Sequence, residues 1–452
     1  MNSTNPHPRD APGPSLMETP GWMLRLGENT FQSFVELARD YGPVARIRFT
    51  PRRALYLCSS PQAAHYVLQT NHKNYRKAFT YGFLEPVVGK GLLTSHGELW
   101  MKQRRLVAPI FHRQRIADYG ATMAETTEEL LDEWRALGTG TVVDVSSAMS
   151  QVTLSIAGKL LFNRDIGRDA RWIGDALVLL FRDVNQRIVR PLSIPRGVPT
   201  PHNRRVQQAI ERLEELVYGL IEERRGQEES FQDLLSMFMQ ARDDESGETM
   251  SDQQVRDELM TFIIAGHDTT SNLLTWAFYL LSKHPEARRR LQKEVDQVVS
   301  GTVPTLEETK ELTFLEQVID ETFRLYPPAW TVEREPIEDD QICGFHVPAG
   351  SVVSIGPYFV HHNPEIWPNP EGFDPHRFGP DKERPHRYAH FPFGGGPRKC
   401  VGADFAILEA KLLLAAITKS FELDLLTGHP VEEEGTVTLY PAHGMQMMLS
   451  PR

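Results

Sequence analysis

The sequence predicts a mainly α-helical protein with a small β-rich portion, folded as a single globular domain crossed by one long central helix. Three observations predict it. Segments such as 205–225 and 286–299 space apolar residues among many charges, as surface amphipathic helices do. Strand-like runs are few and short. One apolar stretch carries a helix start, a helix stop and nothing between them that would break it.

Residues 1–21 (MNSTNPHPRDAPGPSLMETPG) are polar and proline-rich, with no apolar run of signal-peptide or membrane-span length. Residues 1–20 are therefore expected to be a partly disordered lead-in and residues 21–452 the domain. The protein is expected to be cytoplasmic, with no membrane anchor. Residues 44–49 and 54–58, across Thr50-Pro51, read as a hairpin. A second strand pair is expected between 342–347 and 351–355, across Pro348-Ala349-Gly350, and a third between 436–439 and 445–449. Residues 243–249 (DDESGET) read as a loop. The central helix is read over 252–283. Ser251 and Gln254 fit a capping box, and His284-Pro285 is the stop. It would span about 48 Å at 1.5 Å per residue. Its middle, Leu259 to Ala265 and Leu273 to Trp276, is apolar nearly all round, so it should cross the core. Gly266-His267-Asp268-Thr269-Thr270 lies within that core, and buried polar groups there need a reason.

Composition bounds the function. Of 452 residues, 49 are basic and 60 acidic, a net charge of −11. That excludes a general nucleic-acid binder, which needs a basic surface. The three cysteines, Cys58, Cys343 and Cys400, are far apart, so no CxxC zinc or redox motif and no CxxCH haem attachment exists. So sparse a set suits a reducing compartment.

The stretch 391–402 (FPFGGGPRKCVG) is the most informative. Gly394 to Gly396 allow a tight turn and close approach of another group. Cys400 then precedes an apolar helix, whose dipole and free N–H groups favour a thiolate, and Arg398 adds positive charge. A thiolate so placed could ligate a metal or attack an electrophile; a small inert cysteine beside a glycine turn is an equal reading. A phosphate-binding loop is excluded because no Gly-Lys-Ser/Thr follows the glycines. A cysteine protease would need a distinctive local signature, and none is visible.

The same stretch resembles the haem-binding loop of the cytochrome P450 family, Phe-Gly-x-Gly-x-Arg-x-Cys-x-Gly. Phe393, Gly394, Gly396, Arg398, Cys400 and Gly402 match every specified position. The resemblance implies the P450 fold, with Cys400 as the axial thiolate of haem b iron. Phe393, Gly394, Gly402 and Ala265 would lie against the haem. Glu321-Thr-Phe-Arg324 is similar to the family's Glu-x-x-Arg, on a helix ended by Pro327-Pro328, and Arg377 would complete a structural triad. Residues 265–270 (AGHDTT) resemble the oxygen-activation stretch, which implies Asp268 and Thr269 as the catalytic pair for proton delivery. His267 takes the variable position there and is given no ligand role. Trp100-x-x-x-Arg104, Arg334 and Arg398 resemble the residues that hold the haem propionates, a task suited to arginine's bidentate fork.

Family placement implies a substrate pocket from Phe83, Leu84, Val87, Phe262, Ala265, Ala329, Trp330, Val332 and Tyr440, an apolar set suited to a lipophilic ligand. A terpenoid, fatty acid or polyketide-like compound is expected, hydroxylated or epoxidised with O2 as co-substrate. No flavin or iron–sulfur motif is visible before Arg452, so electrons from NAD(P)H are expected through a separate ferredoxin- or flavodoxin-type partner. That partner would dock where Lys102, Arg105, Lys399 and Lys411 give local positive charge. A monomer is expected. The competing readings are a haem-thiolate peroxygenase or isomerase, and a non-enzymatic haem protein that binds gas.

Overall fold

Two strands open the main sheet. β1 (Val44–Thr50) and β2 (Arg53–Cys58) pair antiparallel from Val44↔Cys58 to Thr50↔Arg53. The computed structural model describes residues 9–50, 53–164, 170–189, 193–227, 231, 233–243, 245, 247–383 and 386–452. Further strands are β3 (Tyr75–Lys77), β4 (Thr141–Asp144), β5 (Val332–Pro336), β6 (Asp340–Ile342), β7 (Phe345–Val347) and β8 (Val352–Ile355). Near the end come β9 (Phe421–Leu425), β10 (Glu433–Gly435), β11 (Leu439–Pro441) and β12 (Gln446–Pro451). The main sheet runs β1-β2-β8-β5-β3. Most of the other described residues are helical.

Two expected strand pairings are corrected. Residues 345–347 do not pair with 352–355. β7 turns back on β6, because Cys343 and Gly344 both take positive φ, 49° and 85°, the backbone of a two-residue hairpin turn. β8 is buried at all four positions and finds partners on both edges, parallel β2 and antiparallel β5, which satisfies its backbone groups away from water. Nor does 436–439 pair with 445–449. The chain reverses at residues 436–438, where the Thr436 N–H donates to the Thr438 carbonyl at 2.9 Å, so β11 returns on β10. β12 instead lies between β4 and β9.

Residues 1–8 of the expected lead-in lie outside the described residues. From Arg9 the chain is already packed: Arg9 bridges to Phe345, the Arg46 N–H donates to the Pro12 carbonyl at 2.8 Å, and Ala11 is buried.

The central helix covers Asp252–Lys283. Its capping box is complete, with the Gln254 N–H on Ser251 Oγ at 3.3 Å and the Ser251 N–H on Gln254 Oε1 at 3.0 Å. It packs along the helix Val145–Phe162 and touches the helices Thr313–Leu325 and Ala403–Ser420. The largest core cluster gathers around these helices, including Leu259, Ile263, Leu274 and Trp276. Near its start, Asp257 and Glu258 hold the preceding loop. Asp257 Oδ2 accepts from the Lys90 N–H at 2.8 Å, and Glu258 Oε2 from the Leu92 N–H at 3.0 Å. Gly91 is required there, since a Cβ would lie 2.4 Å from Thr261 Oγ1. This clamp fixes the entry to the helix Gly97–Val107, which carries Trp100 and Arg104.

Candidate active site

The glycine loop is shaped by contact as well as by its turns. Gly394 and Gly396 have φ of 68° and 66°, and a Cβ on Gly396 would lie 1.8 Å from the Leu68 carbonyl oxygen. No other residue fits there. The Cys400 N–H donates to the Phe393 carbonyl at 2.9 Å, which closes the loop just before the helix Ala403–Ser420. The Cys400 side chain is accessible, yet protein surrounds it closely enough that burial dominates its thiol. The two facts agree if the sulfur faces interior space. Contrary to the sequence expectation, the thiol by itself is not acidic. Burial pushes it up, against the opposing effects of the Gly402 N–H, Arg104 and Lys399. A bound metal ion reverses that balance, because a coordinating thiol deprotonates.

A buried network braces the loop. Glu321 and Arg324 are fully buried on the helix Thr313–Leu325. Arg324 grips Glu321 bidentately at 2.7 and 2.9 Å and also donates to the carbonyls of His361, Pro370 and Gly372. Arg377 Nε reaches Glu321 Oε1 at 3.3 Å and donates to the carbonyls of Pro368 and Asn369. His361 Nε2 accepts the Phe391 N–H at 3.1 Å, so the network connects directly to the start of the cysteine loop.

A cluster of cations lies alongside. Lys77 and Arg334 are register partners on β3 and β5. The Lys77 ammonium sits 3.9 Å from the Tyr81 ring centroid, and the Arg398 guanidinium 4.3 Å from that of Trp100. Arg398 also donates to the Ser95 carbonyl at 3.0 Å, and Arg334 to the Glu333 carbonyl at 2.9 Å. Burial, then the charges of Arg334 and Arg398, push Lys77 well below its ordinary range, with Glu333 opposing. Sequence reasoning missed Lys77 and Tyr81. Lysine and tyrosine in a short polar strand and turn carry no signal until β3 pairs with β5. A cleft of about 340 Å³ lined by Arg53, Arg76, Lys77, Tyr81 and His96 borders this cluster.

On the central helix, Ala265 is exposed and Thr269 part-exposed although the segment runs through the core. Both therefore border interior space. Thr269 Oγ1 donates back to the Ala265 carbonyl at 2.7 Å. Burial pushes the Asp268 carboxyl up to about 6, against hydrogen bonding from Thr438. His267 points the other way, onto Ser150 Oγ at 2.9 Å, and burial lowers its imidazole to about 4. It is a neutral packing residue rather than a ligand.

The cytochrome P450 family model matches residues 11–447. The chain is a cytochrome P450. Among its relatives is the cyclooctat-9-en-7-ol 5-monooxygenase of Streptomyces melanosporofaciens, 34% identical over 86% of this P450 and 84% of the relative. The cyclooctatin synthase of the same organism is 33% identical over 99% of this chain and 96% of its own. A bifunctional P450/NADPH–P450 reductase of Bacillus subtilis is 31% identical over 92% of this P450 but only 40% of that longer protein.

This P450 is a haem-thiolate monooxygenase that takes O2 and NAD(P)H-derived electrons delivered by a redox partner, and its substrate is lipophilic. The residues present fit haem. Among the described residues no group of three or more His, Cys, Asp or Glu could hold a metal ion directly. A lone thiolate therefore suits an iron whose other ligands come from a macrocycle. Lys77, Arg334 and Arg398 lie close enough to repel one another, and of the three only Lys77 has a carboxylate, Glu333, acting on it. That surplus matches a guest bearing two carboxylates.

The P450 pocket residues divide in two. Phe83, Phe262, Ala329, Val332 and Tyr440 keep accessible surface, and Ala265 is exposed. Leu84, Val87 and Trp330 are buried within the core clusters. Trp330 packs edge-on against Phe31 and Phe34 and donates Nε1–H to the Thr436 carbonyl at 2.9 Å, so it holds the fold together. Phe262 is stacked between Phe111 and Phe238, at 4.9 and 5.4 Å. The expected docking cations are mostly engaged within the chain. Lys102 pairs with Glu248, Arg105 with Asp243 and Glu245, and Lys411 with Glu316 and the Thr309 carbonyl. Among the described residues no helix is long and apolar enough to cross a membrane.

Proposed function

We propose that this P450 hydroxylates or epoxidises a terpenoid, with electrons from a ferredoxin- or flavodoxin-type donor, and that it acts as a cytoplasmic monomer. The observation that carries the monooxygenase chemistry is an acid beside a hydroxyl, Asp268-Thr269, one turn from the open surface of Ala265. The terpenoid class is supported by the cyclooctat-9-en-7-ol named in a relative and by the apolar surface of Phe83, Ala329 and Val332.

In this reading Cys400 holds the iron, while Arg398, Arg334, Trp100, Arg104 and Lys77 hold the propionates. Phe393, Gly394, Gly402 and Ala265 would lie against the haem. When bound, haem supplies the iron at which O2 is activated, with the thiolate ligation that favours O–O cleavage. The chain supplies placement and protons. Ala265 and its apolar neighbours hold the substrate and keep bulk water away. Asp268, poised near 6 by burial, both gains and loses a proton near neutral pH. Thr269, whose hydroxyl bonds the Ala265 carbonyl, would relay that proton on releasing this bond. Glu321, Arg324 and Arg377 keep the cysteine loop rigid.

The test is a screen of terpenes, fatty acids and polyketides for spin-state shifts in the purified holoprotein, followed by turnover with a ferredoxin and its reductase. Shifts and oxygenated products confined to terpenes support the reading; shifts from fatty acids alone refute the substrate class. Full turnover with peroxide and no electron donor would instead make the protein a peroxygenase.

A further inference from the structure

Asp268 has a partner from outside its own helix. Thr438 Oγ1 donates to Asp268 Oδ2 at 2.5 Å, joining residues 170 apart in the chain. Thr438 is 6% exposed and sits at the reversal between β10 and β11. That reversal is fixed at three points. Thr436 donates to Thr438 O at 2.9 Å, Leu439 to Pro328 O at 3.0 Å, and Trp330 Nε1 to Thr436 O at 2.9 Å. The same two stretches carry Ala329, Val332 and Tyr440, which stay partly accessible. Asn272, one turn along the helix, lies close enough to favour the carboxylate, but its Nδ2 makes no well-formed hydrogen bond. An enclosed carboxylate needs donors, because desolvation opposes its charge. Thr438 is the well-formed donor that the fold provides.

We propose that Thr438 is a positioning residue for oxygen activation. Its hydroxyl sets the orientation from which Asp268 passes protons to Thr269, and its turn ties that orientation to the wall of the substrate cavity. The proposal rests on the proton-delivery reading of Asp268 given above. Coupled turnover converts RH, O2, two electrons and two protons into ROH and H2O. With protons misdirected, O2, two electrons and two protons leave as H2O2 and the substrate is untouched. Asp268 is reprotonated from solvent each time, so neither balance changes.

The experiment uses holoprotein with a ferredoxin, its reductase and NADPH, and measures peroxide and NADPH per O2, first without substrate and then with cyclooctat-9-en-7-ol. Without substrate, peroxide formation consumes one NADPH per O2 and water formation two. Thr438→Val should raise the peroxide fraction roughly three- to tenfold, well short of a lost proton-transfer group, because Asp268 and Thr269 remain in place. Its CO difference spectrum should stay that of the wild type. Thr438→Ser should restore the wild-type ratio, and Thr438→Val should add nothing in an Asp268→Asn background. Wild-type coupling in Thr438→Val, or a full further loss on top of Asp268→Asn, overturns the proposal. If Thr438→Val does not load haem, Thr438→Ala is read the same way, and a Thr438→Ser as uncoupled as Thr438→Ala overturns it. Wild-type coupling in Asp268→Asn overturns the reading of Asp268 as well; a defective Asp268→Asn beside a normal Thr438→Val overturns this proposal alone.

Discussion

The roles proposed for Cys400 and Thr269 rest on a sulfur and a hydroxyl, so small side-chain changes test them. Cys400→Ser should remove the thiolate-type CO difference spectrum, and retention of that spectrum would disprove the ligand assignment. Thr269→Ala should leave substrate-induced spin shifts intact while several-fold more of the consumed O2 appears as peroxide. Arg324→Ala should cost about 3–5 kcal/mol, because Glu321 would remain as an unpaired buried charge. Chemical denaturation against wild type measures it. Glu409 gives a pH test. It is buried against the central helix, with Oε2 unpartnered, and burial holds its carboxyl up to about 8. The folded state therefore binds this proton more tightly than the unfolded chain between about pH 4.5 and 8. Its contribution is complete below that window and is lost as pH rises through it. Glu409→Gln should therefore raise the melting temperature at pH 8 relative to wild type and change it little at pH 5. The motif residues were legible individually because their spacing in the chain defines them. Lys77 was not, because its meaning comes from Arg334, which is 257 residues away and meets it only across a strand pair.

Among the elements, the central helix was read to both ends because a cap, an apolar face and a proline stop all agree locally. Ser251→Ala should cost about 1 kcal/mol by loss of that cap. The strands were found but mispaired. A strand's partner is chosen by the whole fold, and β8 takes β2 from the other end of the chain. Nothing within 342–355 states this; the positive φ at Cys343 and Gly344 is the local clue, and an ordinary cysteine conceals it. The helix Gly97–Val107 shows the same limit for charge. Lys102 and Arg105 look like free cations in sequence, yet acidic residues of 243–248 engage both. Donor affinity should accordingly fall only two- to threefold between about 50 and 200 mM salt, a change small beside that of a contact dominated by free charges. Ionic-strength titration of the donor KM measures this. Lys399→Gln should have the largest effect of the four expected docking cations.

Across the whole molecule, the proposed site draws on segments distant in sequence: β3 and β5, the central helix, the cysteine loop and the turn at Thr438. Helical content and the cysteine loop could be read early. The wall of the substrate cavity could not, since Leu84, Val87 and Trp330 are as apolar as any lining residue and yet are used as packing. The enclosed Lys77, Arg334 and Arg398 bear on the life of the chain before it holds its cofactor. Without a bound dianion the repulsion is relieved only by Lys77 giving up its proton or by the segments parting, so newly made polypeptide lacking porphyrin should be loosely closed along that edge. In iron-starved cells it should be degraded rather than stored, and the amount of protein found should follow haem supply.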